Sequence, residues 1–202
     1  MDEIAQREKK KYDRLWQSVP SYRTCSLGEL FLPHFFGHFS LEEGDRILDF
    51  GCGSGRCAKA FLEKGMSVHL IDFCIDALDP EIHLLATLCS DRLIFTEACL
   101  WDLPKELKAG EWIYCCDVME HIPESQVDKV LYEMSLRMKK GGYLSICLQE
   151  DQFGQALQEP LHVTIQPKEW WIERLSAWFL IEQEMPFCEG VYFNCFVRPL
   201  YT

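Results

Sequence analysis

The sequence predicts an α/β fold: a doubly wound sheet, mostly parallel, with a C-terminal antiparallel hairpin strand. Three observations carry this expectation. Short apolar runs alternate with helical stretches, as βαβ units require. The first run passes directly into a glycine-rich loop and then a helix. The last two runs have only a short turn between them, which makes them a hairpin.

Taken in order, residues 2–17 read as a helix with Ile4, Tyr12, Leu15 and Trp16 as its apolar points. Pro20 and Ser21–Tyr22–Arg23 break it. Leu27 to Phe39 is a second helix, expected to pack on the sheet. Gly44–Asp45 turns the chain into the first strand, Arg46–Phe50. The loop after it carries Gly51, Gly53 and Gly55, and Arg56 to Lys64 follows as a helix with Ala58, Phe61 and Leu62 on its apolar side. Glycine lets such a loop turn tightly and lets a ligand approach the backbone closely, and the N–H groups of the new helix face the same crevice.

Ser67–Ile71 is the second strand, ending at Asp72, and Leu93–Thr96 the third. Trp112–Cys116 is the fourth and ends at Asp117. Gln126 to Met138 is the clearest helix, with Val127, Val130, Leu131, Met134 and Met138 at spacings of 3 and 4. Gly141–Gly142 is expected to introduce the fifth strand, Tyr143–Leu148. Pro167 opens a helix striped by Trp171, Leu175 and Trp178. Phe179–Glu184 and Val191–Arg198 form the hairpin.

A chain of 202 residues suits one domain with a sizeable core. The expected organisation is a single domain over 1–202, with 1–43 as an N-terminal helical lid and 44–202 as the core. A net charge of −12 disfavours a surface that tracks phosphates, so nucleic acid is not the expected partner. The 11 cysteines form no regular framework and no C-x-x-C, which reads as small buried hydrophobes in a reducing compartment. No run approaches the roughly 20 apolar residues of a membrane span, and the charged first residues lack a signal-peptide core. The expectation is a cytoplasmic protein without a membrane partner; its oligomeric state is left open.

The glycine spacing is G-x-G-x-G, not the G-x-G-x-x-G of a dinucleotide loop, and no P-loop lysine follows. Ile47-Leu48-Asp49-Phe50-Gly51-Cys52-Gly53-Ser54-Gly55 resembles the first motif of class I S-adenosylmethionine-dependent methyltransferases. Asp72, 23 residues past Asp49, matches their ribose-binding acid. Trp101-Asp102-Leu103-Pro104 resembles the segment after their third strand, and Cys116-Asp117-Val118-Met119-Glu120-His121-Ile122-Pro123 the segment after their fourth. The resemblance implies a Rossmann-like fold and S-adenosylmethionine as cofactor. It implies cofactor contacts from Asp49, Gly51, Cys52, Gly53, Gly55, Asp72, Phe73, Cys99, Leu100 and Asp117, with Trp16 among the N-terminal aromatics that fold over the cofactor. Cys99 stands where many members have an Asp for the adenine amino group, and a thiol is a poor acceptor.

Ligands of an open α/β sheet sit outside the carboxyl ends of its strands, so the chemistry is sought there. If 117–121 forms a helical turn, Asp117, Glu120 and His121 share one face, and His162 lies in the loop after the fifth strand. His121, Glu120 and His162 are the catalytic candidates. With Asp117 they make an oxygen and nitrogen set suited to a divalent metal ion, and the set resembles that of small-RNA 2′-O-methyltransferases and some quinone-precursor O-methyltransferases. A metal-free base or substrate contact, and a structural role, are the alternatives. Trp170 and Phe153 are candidates to line an acceptor pocket. The expected activity is methyl transfer to a small-molecule acceptor, at oxygen. A non-catalytic cofactor-binding protein and an RNA ribose methyltransferase are the competing readings.

Overall fold

The computed structural model describes residues 2–24 and 26–200. Helix α1 (Glu3–Ser18) starts at Asp2, whose Oδ1 accepts the Ala5 N–H at 2.8 Å and so satisfies one of the orphan donors of the first turn. A 3₁₀ turn (Pro20–Thr24) leads to α2 (Leu27–His38). Then come β1 (Arg46–Phe50), α3 (Cys57–Glu63), β2 (Ser67–Asp72), α4 (Pro80–Leu88), β3 (Leu93–Glu97) and β4 (Gly110–Cys116). The chain continues through α5 (Glu124–Ser135), β5 (Met138–Cys147), the short α6 (Gly154–Leu157), α7 (Lys168–Ser176), β6 (Phe179–Glu184) and β7 (Tyr192–Pro199).

The strands form one seven-stranded sheet in the order β3-β2-β1-β4-β5-β7-β6. The pairs from β3 to β5 are parallel, and β7 runs antiparallel to both β5 and β6. The expected doubly wound α/β architecture with its C-terminal hairpin is therefore present.

Period-two alternation divides the core between the two faces of the sheet. Leu48, Ile113 and Cys115 pack with Val127, Val130 and Met134 of α5 and with Trp171 and Leu175 of α7. Ile47, Trp112 and Tyr114 pack with Phe31 and Phe35 of α2 and Ala58 and Phe61 of α3. A third, smaller cluster joins Tyr12, Leu15 and Trp16 of α1 to Cys74, Leu157 and Leu161, at the end of the sheet where the parallel strands finish. Among the described residues, no helix is long and apolar enough to cross a membrane.

Two boundaries differ from the expectation. Helix α5 ends at Ser135, and Met138 belongs to β5, opposite Gly110. Gly141 and Gly142 are inside β5, not in a turn before it. A Cβ on Gly142 would lie 2.9 Å from the Ile113 carbonyl oxygen, and one on Gly141 would lie 2.8 Å from that of Val197. The glycines are needed because β5 is flanked closely by β4 and β7, a reason that no local pattern reveals.

Candidate active site

The strand order reverses between β1 and β4, which makes the crevice above their carboxyl ends the place where a doubly wound sheet holds ligands. The glycine loop enters this crevice from β1. Gly51 has φ 71° and Gly53 φ 50°, conformations that side-chain-bearing residues rarely adopt. The Gly51 N–H donates to the Ile71 carbonyl at 2.8 Å, and a Cβ on Gly51 would come within 2.5 Å of Val118. Gly55 is different: a Cβ there would meet Ile82, Leu78 and Leu70, so it seats the loop on α4 rather than facing the crevice.

Asp72 ends β2 and is buried. Its Oδ2 accepts the Gly53 N–H at 2.9 Å and its Oδ1 the Cys74 N–H at 3.0 Å, tying the glycine loop to the β2 end. Burial pushes its carboxyl above the ordinary range against the pull of these bonds. Asp49, one strand over, is pushed up to about 7 by burial and by the charge of Asp72.

Two adjoining cavities occupy the crevice. The smaller, about 90 Å³, is lined by Trp16, Gly51, Gly53, Asp72, Phe73 and Leu100 among others. The larger, about 780 Å³, is lined by Asp49, Cys52, Cys147, Phe153 and His162 among others. Trp16, Tyr22, Gly51, Gly53, Asp117 and His121 line both. Cys99 lines neither: it is buried in the same core cluster as Leu100 and Trp101, which do reach the smaller cavity. Trp170 is also away from both, packed edge-on to Trp171 with Arg174 over its ring.

The segment after β4 departs from the expected helical turn. Asp117 has φ 60°, in the left-handed region, and only Met119–His121 forms a single 3₁₀ turn. Glu120 and His121 therefore diverge. Glu120 is fully buried and lines neither cavity; its Oε1 accepts the Cys147 N–H at 2.9 Å and its carbonyl accepts the Val163 and Thr164 N–H groups. His121 turns toward α1, with Nδ1 2.6 Å from the Tyr12 hydroxyl and 3.1 Å from the Leu161 carbonyl. Burial, then the neighbouring His162, pushes His121 down to about 3, so its imidazole is neutral at physiological pH. The rings of His121 and His162 meet edge to face, 4.7 Å apart. Burial raises both Asp117 and Glu120, and the Asp117 charge raises Glu120 further.

The expected four-residue set of Asp117, Glu120, His121 and His162 is thus not gathered as such. Potential ligand atoms of Glu120, Cys147 and His162 come within 4.8 Å of one another instead. Sequence reading missed Cys147, although its place at the end of β5 parallels that of Asp117 after β4 and is itself a signal. It also missed Glu8, which lines the smaller cavity one helical turn from Tyr12. Helix α1 closes this end of the molecule. Lys11 Nζ donates to the Pro160 carbonyl at 3.1 Å, Lys9 Nζ donates to that of Phe73 at 2.6 Å, and Arg14 pairs with Glu159.

Residues 21–182 match a family described as a methyltransferase domain. Over 104 residues, half of this chain, the sequence is 30% identical to a ubiquinone biosynthesis O-methyltransferase of Paracidovorax citrulli, and the match takes in 42% of that relative's length. In fold, the chain is similar to the PH0226 protein of Pyrococcus horikoshii, with TM-score 0.70, 14% identity, and coverage of 90% of this chain and 92% of that one. It is also similar to the N-methyltransferase NodS of Bradyrhizobium japonicum, solved with S-adenosyl-L-homocysteine, with TM-score 0.66, 11% identity, and coverage of 96% and 98%.

Proposed function

Since the chain belongs to the methyltransferase domain family, we propose that it moves the methyl group of S-adenosylmethionine to an oxygen of a small-molecule acceptor. The observation that carries this is the crevice itself: a left-handed Gly51–Gly53 loop bonded to a buried Asp72, opening beside a cavity of about 780 Å³. Asp72 would accept the ribose hydroxyls, and Leu100 and Trp101 would supply apolar walls for the adenine. Asp49, Gly51 and Gly53 would face the methionine part. The acceptor would enter the larger cavity, whose volume falls within the roughly 300–1,000 Å³ of small-molecule sites.

The smaller cavity falls short of that range, and α1 with the Pro20–Thr24 turn is the reason. Their Trp16 and Tyr22 line both spaces. In this reading the lid is narrower than the expected 1–43: α1 and the Pro20–Thr24 turn shift, or their aromatic rings turn, to admit the donor, while α2 stays with the core through Phe31 and Phe35.

The reaction is an in-line displacement. The acceptor oxygen attacks the methyl carbon, the carbon–sulfur bond breaks, and sulfur keeps the electron pair. Alignment does much of the work, worth about 7–11 kcal/mol when it is good. His121 is the proton acceptor in this proposal. Its Nδ1 is held by Leu161 and Tyr12, which leaves Nε2 for the acceptor hydroxyl. An imidazole pushed down to about 3 is a weak base toward a free alcohol. It suffices here because an oxygen acquiring a methyl group becomes an oxonium, which is far more acidic than that imidazolium.

Transfer to oxygen is supported by the similarity to ubiquinone biosynthesis O-methyltransferases. The larger cavity has Asp49, Asp117, Glu150 and Asp151 in its lining and, among the described residues, no Lys or Arg. That lining favours neutral or cationic small molecules over RNA, whose phosphates need basic partners.

Calorimetry with S-adenosylhomocysteine tests the reading. Wild type should bind it, and Asp72→Asn should bind about 10- to 100-fold more weakly, as expected for lost hydrogen bonds to a charged group. Wild type that ignores S-adenosylhomocysteine and binds a nicotinamide dinucleotide instead would contradict it.

A further inference from the structure

Glu120 has no exposed surface, yet its Oε2 has no hydrogen-bond partner. The Asp117 Oδ1 is likewise buried without a donor, and the two carboxyls are neighbours that hydrogen-bond to each other when one of them holds a proton. Two carboxyls paired at this depth are costly when both are ionised; a shared proton relieves that cost, and so would a site for a cation.

One lies within reach. Single ligand atoms of Glu120, Cys147 and His162 sit within 4.8 Å of one another. A tetrahedral zinc ion, with bonds of about 2.0 Å to nitrogen or oxygen and about 2.3 Å to sulfur, needs such atoms roughly 3.3–3.8 Å apart. Binding would need the three side chains to close by at most roughly 1–1.5 Å. His162 is already oriented: its Nδ1 is 2.6 Å from the Gln149 carbonyl. A ring N–H donated there leaves the Nε2 lone pair free, and a backbone carbonyl is a common outer partner of a metal-ligating histidine.

We infer that Glu120, Cys147 and His162 form a site for a divalent metal ion of the zinc class. A thiolate, an imidazole and a carboxylate suit zinc, whereas magnesium wants oxygen ligands alone. Three protein ligands leave one position open, the pattern of catalytic rather than structural zinc. Cys147 and His162 both line the larger cavity, so the open position is accessible from it. His121 is outside the set because its ring nitrogens are not among the ligand atoms that cluster within 4.8 Å. On the methyltransferase reading, on which this role rests, the ion would orient an acceptor hydroxyl and make it more acidic.

The test is cobalt and zinc binding by the full chain. Co²⁺ titration should give a near-ultraviolet thiolate-to-cobalt band that saturates at one equivalent. Zinc affinity is read by competition with 4-(2-pyridylazo)resorcinol. Cys147→Ser should abolish the band. His162→Ala, at a partly exposed position, should weaken zinc by more than the roughly 10- to 100-fold of an outer-partner change. His121→Ala and Cys188→Ser should retain the band and the affinity. The site is refuted if wild type gives no band, if the band survives Cys147→Ser, or if His121→Ala costs as much zinc affinity as His162→Ala. Calorimetry with S-adenosylhomocysteine on the same samples separates the two readings. Cofactor binding without the band removes the metal site alone; the band without cofactor binding removes the methyltransferase reading and leaves the site.

Discussion

Burial beside Asp72 leaves the Asp49 carboxyl half-ionised near pH 7, while an unfolded Asp loses its proton near 3.9. Between roughly pH 4 and 7 the folded chain therefore holds a proton that the unfolded chain has released. The stability from this proton is present below pH 4 and is lost as the pH rises through 7. Asp49→Asn should then raise stability at pH 8 by roughly 1–3 kcal/mol, read from urea melts. The same substitution should weaken S-adenosylhomocysteine, whose ammonium group would favour the ionised carboxylate. Wild-type affinity should climb from pH 6 to 8 with proton release on binding, measured by calorimetry in buffers of different ionisation heat. A flat affinity over that range counts against an ammonium at Asp49. The position of Asp49 at a strand end was legible in the sequence, as was that of Asp72. The divergence of Glu120 and His121 was not. It depends on the left-handed backbone at Asp117 (φ 60°), which an aspartate tolerates but does not announce.

At the scale of elements, β5 separates what local pattern can and cannot say. Its apolar run was plain, yet its start was misplaced because Gly141–Gly142 reads as a turn. The pair is instead required by the approach of neighbouring strands. Gly142→Ala should cost about 1–3 kcal/mol through overpacking against Ile113. The urea midpoint should fall while the slope stays constant. Gly37, in α2, is the contrasting case, because a Cβ there would meet nothing within 4 Å; Gly37→Ala should gain up to about 1 kcal/mol from helix propensity. Equal effects at the two positions would mean that strand packing is not what fixes Gly142. Helix α1 shows the converse. Its amphipathic pattern was readable, and so was its aromatic end. Its bonds to Pro160, Leu161 and His121 were not, because they join segments more than a hundred residues apart.

Across the whole molecule, the charge of −12 and the larger cavity act in the same direction. An anionic acceptor would meet an unfavourable field on approach and no described Lys or Arg in the cavity lining. Three acceptors that share one reacting hydroxyl and differ only in a side group, an amine, a neutral group or a carboxylate, test this. kcat/KM should be at least about tenfold lower for the carboxylate, and the gap should narrow with added salt as the field is screened. A carboxylate that reacts as fast as the amine overturns the expectation. The sequence by itself determined the order of βα units, the C-terminal hairpin, the G-x-G-x-G loop and the acids at the strand ends. Each of these is written in residues a few positions apart, through the periods of strand and helix and the special freedom of glycine. Only the tertiary structure decided which side chains meet: Tyr12 with His121, and Glu120 with Cys147 and His162. Those meetings depend on sheet register, on one left-handed backbone angle and on the docking of α1, and none of these has a local period from which it could be read.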